Sequence, residues 1–307
     1  MNNPRVIVTG GAGFIGSHLT DKLIAKGCQV VVIDNLSLGN RDNVNKKAVF
    51  STADITNLEA IKPLFKDTDY VFHCAAMPRI QPSIKDPTES FTNNLLGTHN
   101  VLEAARLAGV KKVIYSGSSS VYGDQKELPL REDMIPNPKN PYALDKWQSE
   151  QRCLKFAEWY RLPVVCLRYF NVYGERQSIE GAYATVVGIF LRQVERGQDL
   201  TIVGDGNQRR DFTYVSDVVN ANIAAMEASA ASSDVINIGT GVNHSINELF
   251  ELISDNSGGK FFSRLNPRPG EAQETLADIS KAKKLLGFQP TMSLEVWVRS
   301  QLEKIAG

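Results

Sequence analysis

The chain has 307 residues, and its 34 basic side chains balance its 34 acidic ones. This length allows one large α/β unit or two domains with a sizeable core. The balanced charge argues against a nucleic-acid partner or an anionic membrane surface, and no apolar run approaches the roughly 20 residues of a membrane-spanning helix.

The cysteines and histidines give no sign of a disulfide framework or a metal site. The four cysteines are scattered, with no CxxC pair, so they are expected to be reduced in a cytoplasmic protein. His73 has no second His or Cys at metal-ligand spacing, and we expect a core or cap histidine and no metal. The N-terminus carries no signal-peptide pattern.

The first elements predict a dinucleotide-binding unit. Residues 6–9 are an apolar strand, the glycine turn from Gly10 follows, residues 17–26 have a helical pattern, and the strand 29–33 ends at Asp34. Glycines let the backbone approach a pyrophosphate, and the helix N-terminus offers free N–H groups. Asp34 is placed to accept hydrogen bonds from the adenosine ribose and would repel a 2′-phosphate, so NAD is predicted rather than NADP.

Strand and helix patterns then alternate through the first half of the chain. Further strands are predicted at 49–54, 70–76, 113–116 and 162–167, and helices at 58–65, 92–108 and 142–161. The proline-marked residues 78–87 are predicted to be a loop. Repeated βα units with apolar strands predict an α/β fold with a doubly wound parallel sheet.

Tyr142 and Lys146 form a candidate proton-transfer pair. Residues four apart lie on one face of a helix, so the phenol and the ammonium are expected side by side. The ammonium favours the phenolate, and the pKa of Tyr142 is therefore predicted to lie below its ordinary value of about 10. Such a tyrosine can take a proton from a hydroxyl at neutral pH. Ser118, after the fifth strand, is a candidate to share that proton.

The second half has a looser pattern. Residues 1–174 are predicted to be the dinucleotide-binding domain, rejoined by segments near 210–240, and residues 175–307 mainly a smaller α+β substrate lobe. Ser245 and Glu248 form a capping box at a helix start. Arg210, in a predicted polar turn, and Arg268 are either solvated surface charges or bidentate ligands of a diphosphate.

These segments together resemble the extended short-chain dehydrogenase/reductase family, and within it the nucleotide-sugar 4-epimerases. The resemblance covers essentially the whole chain. The segments that carry it include TGGAGFIGSHL, VVVIDNLSLGN, SGSSSVYG, NPYALDK, RYFNVYG and RPGEAQETLADISKAKKLLGF.

The resemblance implies a Rossmann fold and 4-epimerisation of a UDP-hexose with retained NAD. The implied catalytic residues are Ser118, Tyr142 and Lys146, with Lys146 also on the nicotinamide ribose. The implied cofactor-binding residues are Gly10, Gly13, Phe14, Ile15, Gly16, Asp34, Asn35, Asp54, Ile55, Ala75, Ala76, Asn93, Ser116, Tyr142, Lys146 and Phe170. The implied substrate-binding residues are Ser118, Tyr142, Asn171, Arg210, Arg268 and Thr275.

Several alternatives remain open. Sugar dehydratases carry Asp-Glu directly after the catalytic Thr or Ser, and decarboxylases carry a Glu at the second place, but here Ser119 and Ser120 stand there. A UDP-glucuronate 4-epimerase has a similar serine cluster. A non-catalytic nucleotide-binding protein often loses the Ser, Tyr and Lys set that is intact here.

Two further expectations come from the resemblance. Thr275 lies where a small residue accompanies acceptance of N-acetyl sugars, so UDP-N-acetylglucosamine and UDP-N-acetylgalactosamine are expected substrates beside UDP-glucose and UDP-galactose. Family members usually dimerise through two helices of each subunit, here the helices 92–108 and 142–161, and a homodimer is expected.

Overall fold

A seven-stranded parallel sheet forms the centre of the protein. The computed structural model describes residues 3–179, 184–229, 233–257 and 262–306. The strands of the sheet are β1 (Arg5–Thr9), β2 (Gln29–Asp34), β3 (Val49–Thr52), β4 (Tyr70–His73), β5 (Lys112–Ser118), β6 (Val164–Tyr169) and β11 (Val235–Ile238). Their order is β11-β6-β5-β4-β1-β2-β3, and every pair is parallel. The predicted doubly wound α/β fold is confirmed.

Helices cover both faces of this sheet. The α-helices of the described residues are α1 (Phe14–Ala25), α2 (Leu58–Ile61), α3 (Ile80–Lys85), α4 (Pro87–Phe91), α5 (Gly97–Leu107), α6 (Pro141–Tyr160), α7 (Val186–Glu195), α8 (Val215–Glu227), α9 (Ile246–Ser257), α10 (Ser280–Leu286) and α11 (Leu294–Ala306). In the part of the chain that is described, none of them is both long and apolar enough to cross a membrane.

Successive residues of β1 show why the strands are continuously apolar. Val6 and Val8 pack with the buried side chains of α1 and α8. Ile7 points to the opposite face and packs with those of α5 and α6. Because successive side chains of a strand alternate between faces, a sheet covered on both sides needs an apolar residue at each position.

Among the residues with described positions, three short strand pairs and a separate core form a smaller lobe. Its strands are β7 (Val172–Tyr173), β8 (Leu200–Val203), β9 (Arg209–Asp211), β10 (Thr213–Tyr214), β12 (Asn243–Ser245) and β13 (Phe262–Leu265). β7 pairs with β10, β8 with β13, and β9 with β12. Phe190, Ile253 and Trp297, from α7, α9 and α11, are buried in one cluster.

The capping box predicted at the start of α9 is confirmed. Glu248 N–H donates to Ser245 Oγ at 3.0 Å, and Ser245 N–H donates to Glu248 Oε2 at 2.9 Å.

Two predictions of irregular structure near the site are wrong. The residues predicted as a loop after β4 contain α3 and the start of α4. Asp86 caps α4, since its side chain accepts from Glu89 N–H at 2.8 Å, and Pro87 occupies the first helical position, where its missing N–H costs nothing. Arg210 lies in strand β9 rather than in a turn, because β9 pairs with β12 in the smaller lobe.

Candidate active site

One large cavity lies between the carboxyl ends of the parallel strands and the smaller lobe. Its volume is about 1050 Å³. The predicted site residues that line it are Gly10, Gly13, Phe14, Ile15, Gly16, Asp34, Asn35, Ile55, Ala75, Ala76, Asn93, Ser116, Ser118, Tyr142, Asn171, Arg210, Arg268 and Thr275. The structure thus brings together residues from distant parts of the sequence at the sheet edge where ligands of such folds bind.

The glycine turn leaves the start of α1 open to the cavity. Gly10 has a φ of 69°, and a Cβ there would lie 2.6 Å from Ala75 N on the neighbouring strand segment. Gly13 precedes α1 and offers no side-chain cap. The N–H groups in the first turn of a helix have no partner within the helix, so this end of the cavity presents backbone donors of the kind that suit an anion.

Asp34 ends β2 and holds the turn in place. Its Oδ2 accepts from Ala12 N–H at 3.0 Å, and its Oδ1 accepts from Leu36 N–H at 2.8 Å. The side chain is 8% exposed and lines the cavity. A carboxylate in this position has lone pairs left to accept hydrogen bonds from a ligand's hydroxyls.

Asp54 does not itself line the cavity, but it contacts Asn35, which does. It accepts from Asn35 Nδ2 and from Thr56 N–H, each at 2.8 Å. Burial opposes ionisation of Asp54, but the bonds from Thr56 and Asn35 outweigh it and lower the pKa of this carboxyl group. Asp54 therefore orients Asn35, which does line the cavity.

The first turn of α6 positions Tyr142 opposite Ser118. Asn140 caps the helix by accepting from Ala143 N–H at 2.9 Å, and Pro141 occupies the first helical position. Ser118 is the last residue of β5, and its Oγ lies 2.8 Å from Ser120 Oγ. Ser118 and Tyr142 line the same cavity, and the Ser118 side chain acts to lower the pKa of the Tyr142 phenol.

The prediction that Lys146 lowers the pKa of Tyr142 below its ordinary value is wrong. Burial raises the pKa of Tyr142 above its ordinary value, and the hydrogen bond with Ser118 and the charge of Arg79 act in the opposite direction. Lys146 Nζ lies 6.0 Å from the centroid of the Tyr142 ring and donates to Ser116 O at 3.0 Å. Burial lowers the pKa of Lys146 to about 8. The ammonium is thus directed at a backbone carbonyl and does not line the cavity.

Arg79 is a cavity residue that the sequence analysis missed. It follows β4 and lines the cavity with Ser118 and Tyr142. No motif surrounds it, and its segment was predicted to be a loop. The available signal was its place just beyond the carboxyl end of a central strand, where the ligand crevice of a doubly wound sheet lies.

The two predicted diphosphate arginines differ in their surroundings. Arg210 Nη2 lies 3.4 Å from Glu271 Oε2, its Nη1 donates to Gln273 O at 3.2 Å, and its side chain is 13% exposed. Burial lowers the pKa of the Arg210 guanidinium. Arg268 is exposed and lines the same cavity.

Phe170 and His73 both lie in the buried core. Phe170 is fully buried in a cluster with Val121 and Tyr122, and the structure does not place it with the cavity residues. His73 lies between Thr9 Oγ1 at 2.7 Å and Thr98 Oγ1 at 2.9 Å, which confirms a core histidine. Among the residues with described positions, no group of three or more His, Cys, Asp and Glu side chains is arranged to hold a metal ion.

Comparison with known proteins gives consistent matches over most of the chain. A family model for the NAD-dependent epimerase/dehydratase family matches residues 6–239. A protein of Methanocaldococcus jannaschii described as a putative UDP-glucose 4-epimerase is 40% identical over 96% of both chains.

Solved structures agree closely in fold. UDP-glucose 4-epimerase of Thermotoga maritima, solved with UDP-glucose, matches with a TM-score of 0.94 and 40% identity over 98% of both chains. UDP-N-acetylglucosamine 4-epimerase of Methanobrevibacter ruminantium matches with a TM-score of 0.92 and 38% identity, over 99% of this chain and 98% of the other. Similar proteins at 33–35% identity also include a UDP-glucuronic acid 4-epimerase and decarboxylases of UDP-uronic acids.

Proposed function

Because the chain belongs to the NAD-dependent epimerase/dehydratase family, we propose that it inverts carbon 4 of UDP-hexoses. The proposed substrates are UDP-glucose and UDP-galactose, with their N-acetylated counterparts also accepted. The observation that carries the proposal is the placement of Ser118 and Tyr142 in one cavity with the glycine turn and with Arg210 and Arg268.

NAD is the cofactor, and the glycine-turn end of the cavity fits it. The first turn of α1 offers backbone donors to a pyrophosphate. Asp34 offers a carboxylate to the ribose hydroxyls, and Asn35 and Ile55 line the region proposed for adenine. Ala75 and Ala76, small residues after β4, leave space for the rest of the dinucleotide. When bound, NAD would supply the acceptor, and afterwards the donor, of the hydride at carbon 4.

Tyr142 and Ser118 perform the proton transfer in this proposal. The ionised Tyr142 oxygen takes the proton of the 4-hydroxyl as the carbon–hydrogen bond at carbon 4 breaks, which leaves a 4-keto sugar. Ser118 donates to the oxygen that carries the developing charge. After the 4-keto sugar has rotated to offer its other face, Tyr142 returns the proton to the carbonyl oxygen. Tyr142 is then ionised again, as it was at the start of the reaction.

Arg210 and Arg268 are proposed to anchor the substrate through its diphosphate. Guanidinium groups bind phosphate oxygens in pairs. A hexose held by its diphosphate, rather than by many contacts of its own, can rotate and offer its other face to the same hydride. Asn171 and Thr275, which line the cavity beside Arg210, are proposed to contact the sugar.

A UDP-glucuronate 4-epimerase is the second candidate. Its support is the similarity to a UDP-glucuronic acid 4-epimerase of Bacillus cereus, at 35% identity. Dehydration and decarboxylation fit less well, because the chain has Ser119 and Ser120 where those enzymes carry acidic residues.

A homodimer and a cytoplasmic location complete the proposal. Exposed apolar side chains on the α4–α6 region, including Phe91, Leu96, Leu144 and Trp159, support an interface there. The four cysteines are free thiols, as in a reducing compartment. Sedimentation at several concentrations would measure the assembly, and a monomer throughout would contradict the homodimer.

Proton NMR of the purified protein with each sugar tests the reaction. UDP-galactose, UDP-N-acetylgalactosamine and UDP-glucuronate are supplied separately, with no added NAD. Anomeric signals of the matching epimer are expected from the first two sugars. The Tyr142→Phe variant should retain NAD and fold but lose turnover, and activity in that variant would refute the role of Tyr142. Epimerisation of UDP-glucuronate alone would favour the second candidate, and no epimer from any sugar would refute the proposal.

A further inference from the structure

Arg79 lies at the carboxyl edge of the sheet, between the end of β4 and the first residue of α3. It lines the same cavity as Ser118 and Tyr142, and the reaction proposed above assigns it no part. A guanidinium in a cavity that handles protons and hydride is an electrostatic component of that site.

The backbone of Arg79 is strained. Its φ is 84° and its ψ is 147°, a region that glycine adopts freely and L-residues adopt only at a cost in energy. Such outliers occur where a side chain is needed at a particular place. A glycine would suit this backbone better, so an arginine at this position indicates a role for its side chain.

Hydrogen bonds fix the segment that carries Arg79 against the start of α6. Ser83 Oγ accepts from the backbone N–H of Tyr142 at 3.1 Å and donates to Ile80 O at 2.7 Å. On the other side of α3, Gln81 Nε2 donates to Pro269 O at 3.0 Å. The strained residue and the tyrosine are therefore held on directly bonded elements.

Three polar groups face Tyr142 from three elements. The Ser118 hydroxyl comes from β5, Lys146 from the next turn of α6, and Arg79 from the segment before α3. The Arg79 charge lowers the pKa of the Tyr142 phenol against the effect of burial. Lys146 is bonded to Ser116 O instead.

Arg79 itself faces two acidic groups. Burial lowers the pKa of its guanidinium, while the charges of Tyr142 and Glu271 act to raise it. Glu271 also pairs with Arg210 at 3.4 Å, so its charge is shared between two arginines. The phenolate of Tyr142 and the carboxylate of Glu271 thus both interact favourably with the charge of Arg79.

We propose that Arg79 is the positioning residue that prepares Tyr142 for proton transfer, by stabilising the phenolate form. The proposal rests on the proposed role of Tyr142 as the base. Arg79 acts through the tyrosine and need not touch the sugar. An arginine remains charged over the whole working pH range.

The ionisation of Tyr142 can be measured without turnover. The ultraviolet absorbance of phenolate is titrated with pH in the NAD-bound protein and in its Tyr142→Phe variant, and the difference isolates Tyr142 from the other eight of the nine tyrosines. Three further substitutions are each prepared with and without Tyr142→Phe and titrated in the same way: Arg79→Gln, Arg79→Lys and Arg79→Gly. Arg131→Gln is the matched control, because Arg131 pairs with Glu127 and Asp133 on the surface.

Arg79→Gln and Arg79→Gly should move the titration of Tyr142 to higher pH, with Arg79→Lys closer to the parent and Arg131→Gln unchanged. The pH dependence of kcat should move in the same direction, and turnover at neutral pH should fall roughly tenfold, less than the about 10²–10⁴-fold effect of a general base itself. Arg79→Gly should unfold at a higher temperature than Arg79→Gln, because it relieves the backbone strain.

An unchanged Tyr142 titration in Arg79→Gln and Arg79→Gly would overturn the proposal. The proposal would also be overturned if the Arg79 substitutions only raised the KM for UDP-glucuronate. That result would make Arg79 a ligand of an acidic sugar. A parent protein without epimerase activity would refute the proposed function but would leave the titration of Tyr142 readable.

Discussion

The side-chain amide of Asn171 donates a hydrogen bond to Thr275 Oγ1 over 3.2 Å. Thr275 Oγ1 also accepts from Asp211 N–H at 3.3 Å, and its side chain is buried but lines the cavity. The hydroxyl therefore joins β9 to the turn after β6, and the volume left beside it belongs to the proposed sugar site. Thr275 combines a structural contact with an effect on cavity size.

Thr275→Tyr should narrow the range of sugars. The larger ring would occupy space that an N-acetyl group needs, so kcat/KM for UDP-N-acetylgalactosamine should fall at least about tenfold more than that for UDP-galactose. Thr275→Ser is the matched control, since it keeps the hydroxyl and should keep both activities. The two rates are measured with the same preparation, and an equal loss for both sugars would contradict a role of Thr275 in size selection.

Gly10→Ala should lose NAD and stability. A Cβ at Gly10 would lie 2.6 Å from Ala75 N and 2.8 Å from Ala75 Cα, both backbone atoms, and the φ of 69° adds strain. Gly109→Ala separates the two effects, because Gly109 has a φ of 68° with no atom within 4 Å of its added Cβ. Strain alone costs about 1–3 kcal/mol. Denaturation and cofactor content of both variants are measured, and equal behaviour would mean that the contact with Ala75 has no effect.

His73 should make the fold sensitive to acid. Burial lowers its pKa to about 3 from an ordinary value of 6.5. The unfolded chain therefore binds a proton that the folded chain excludes, and stability falls as the pH decreases from 6.5 towards 3, by at most about 1.4 kcal/mol per pH unit. His73→Asn should flatten this part of the dependence of unfolding free energy on pH. An identical pH slope in parent and variant would rule out His73 as the cause.

The sequence predicted the parts of the site that depend on local pattern. The glycine turn, the strand that ends at Asp34 and the helix that begins at Tyr142 all follow from short-range periodicity and capping. The i, i+4 spacing placed Lys146 on the same helix face as Tyr142, but it does not determine where a long side chain points. In the fold, Lys146 meets the Ser116 carbonyl of β5, a contact between elements 30 residues apart. Arg79 was missed for the same reason, because its relation to Tyr142 depends on the packing of α3 against α6.

Glu150→Gln should destabilise the protein strongly. Glu150, on α6, accepts from Arg168 Nε at 2.8 Å and Nη2 at 2.7 Å, and the two side chains are 1% and 3% exposed. The pair connects the helix of Tyr142 to strand β6, and Arg168 lies 4.7 Å above the ring of Tyr122. Removing the carboxylate leaves a buried guanidinium without its counter-charge, which costs about 3–5 kcal/mol.

Glu158→Gln is the matched control for this change, on the same helix. Glu158 pairs with Lys155 at 2.6 Å, but both side chains are about half exposed, and surface pairs contribute about 0–1 kcal/mol. Urea denaturation of both variants gives the two free energies. Because α6 carries Tyr142, Glu150→Gln should also reduce turnover in the fraction that remains folded. Similar small losses from both substitutions would show that the buried pair is replaceable, and that other contacts hold α6 on the sheet.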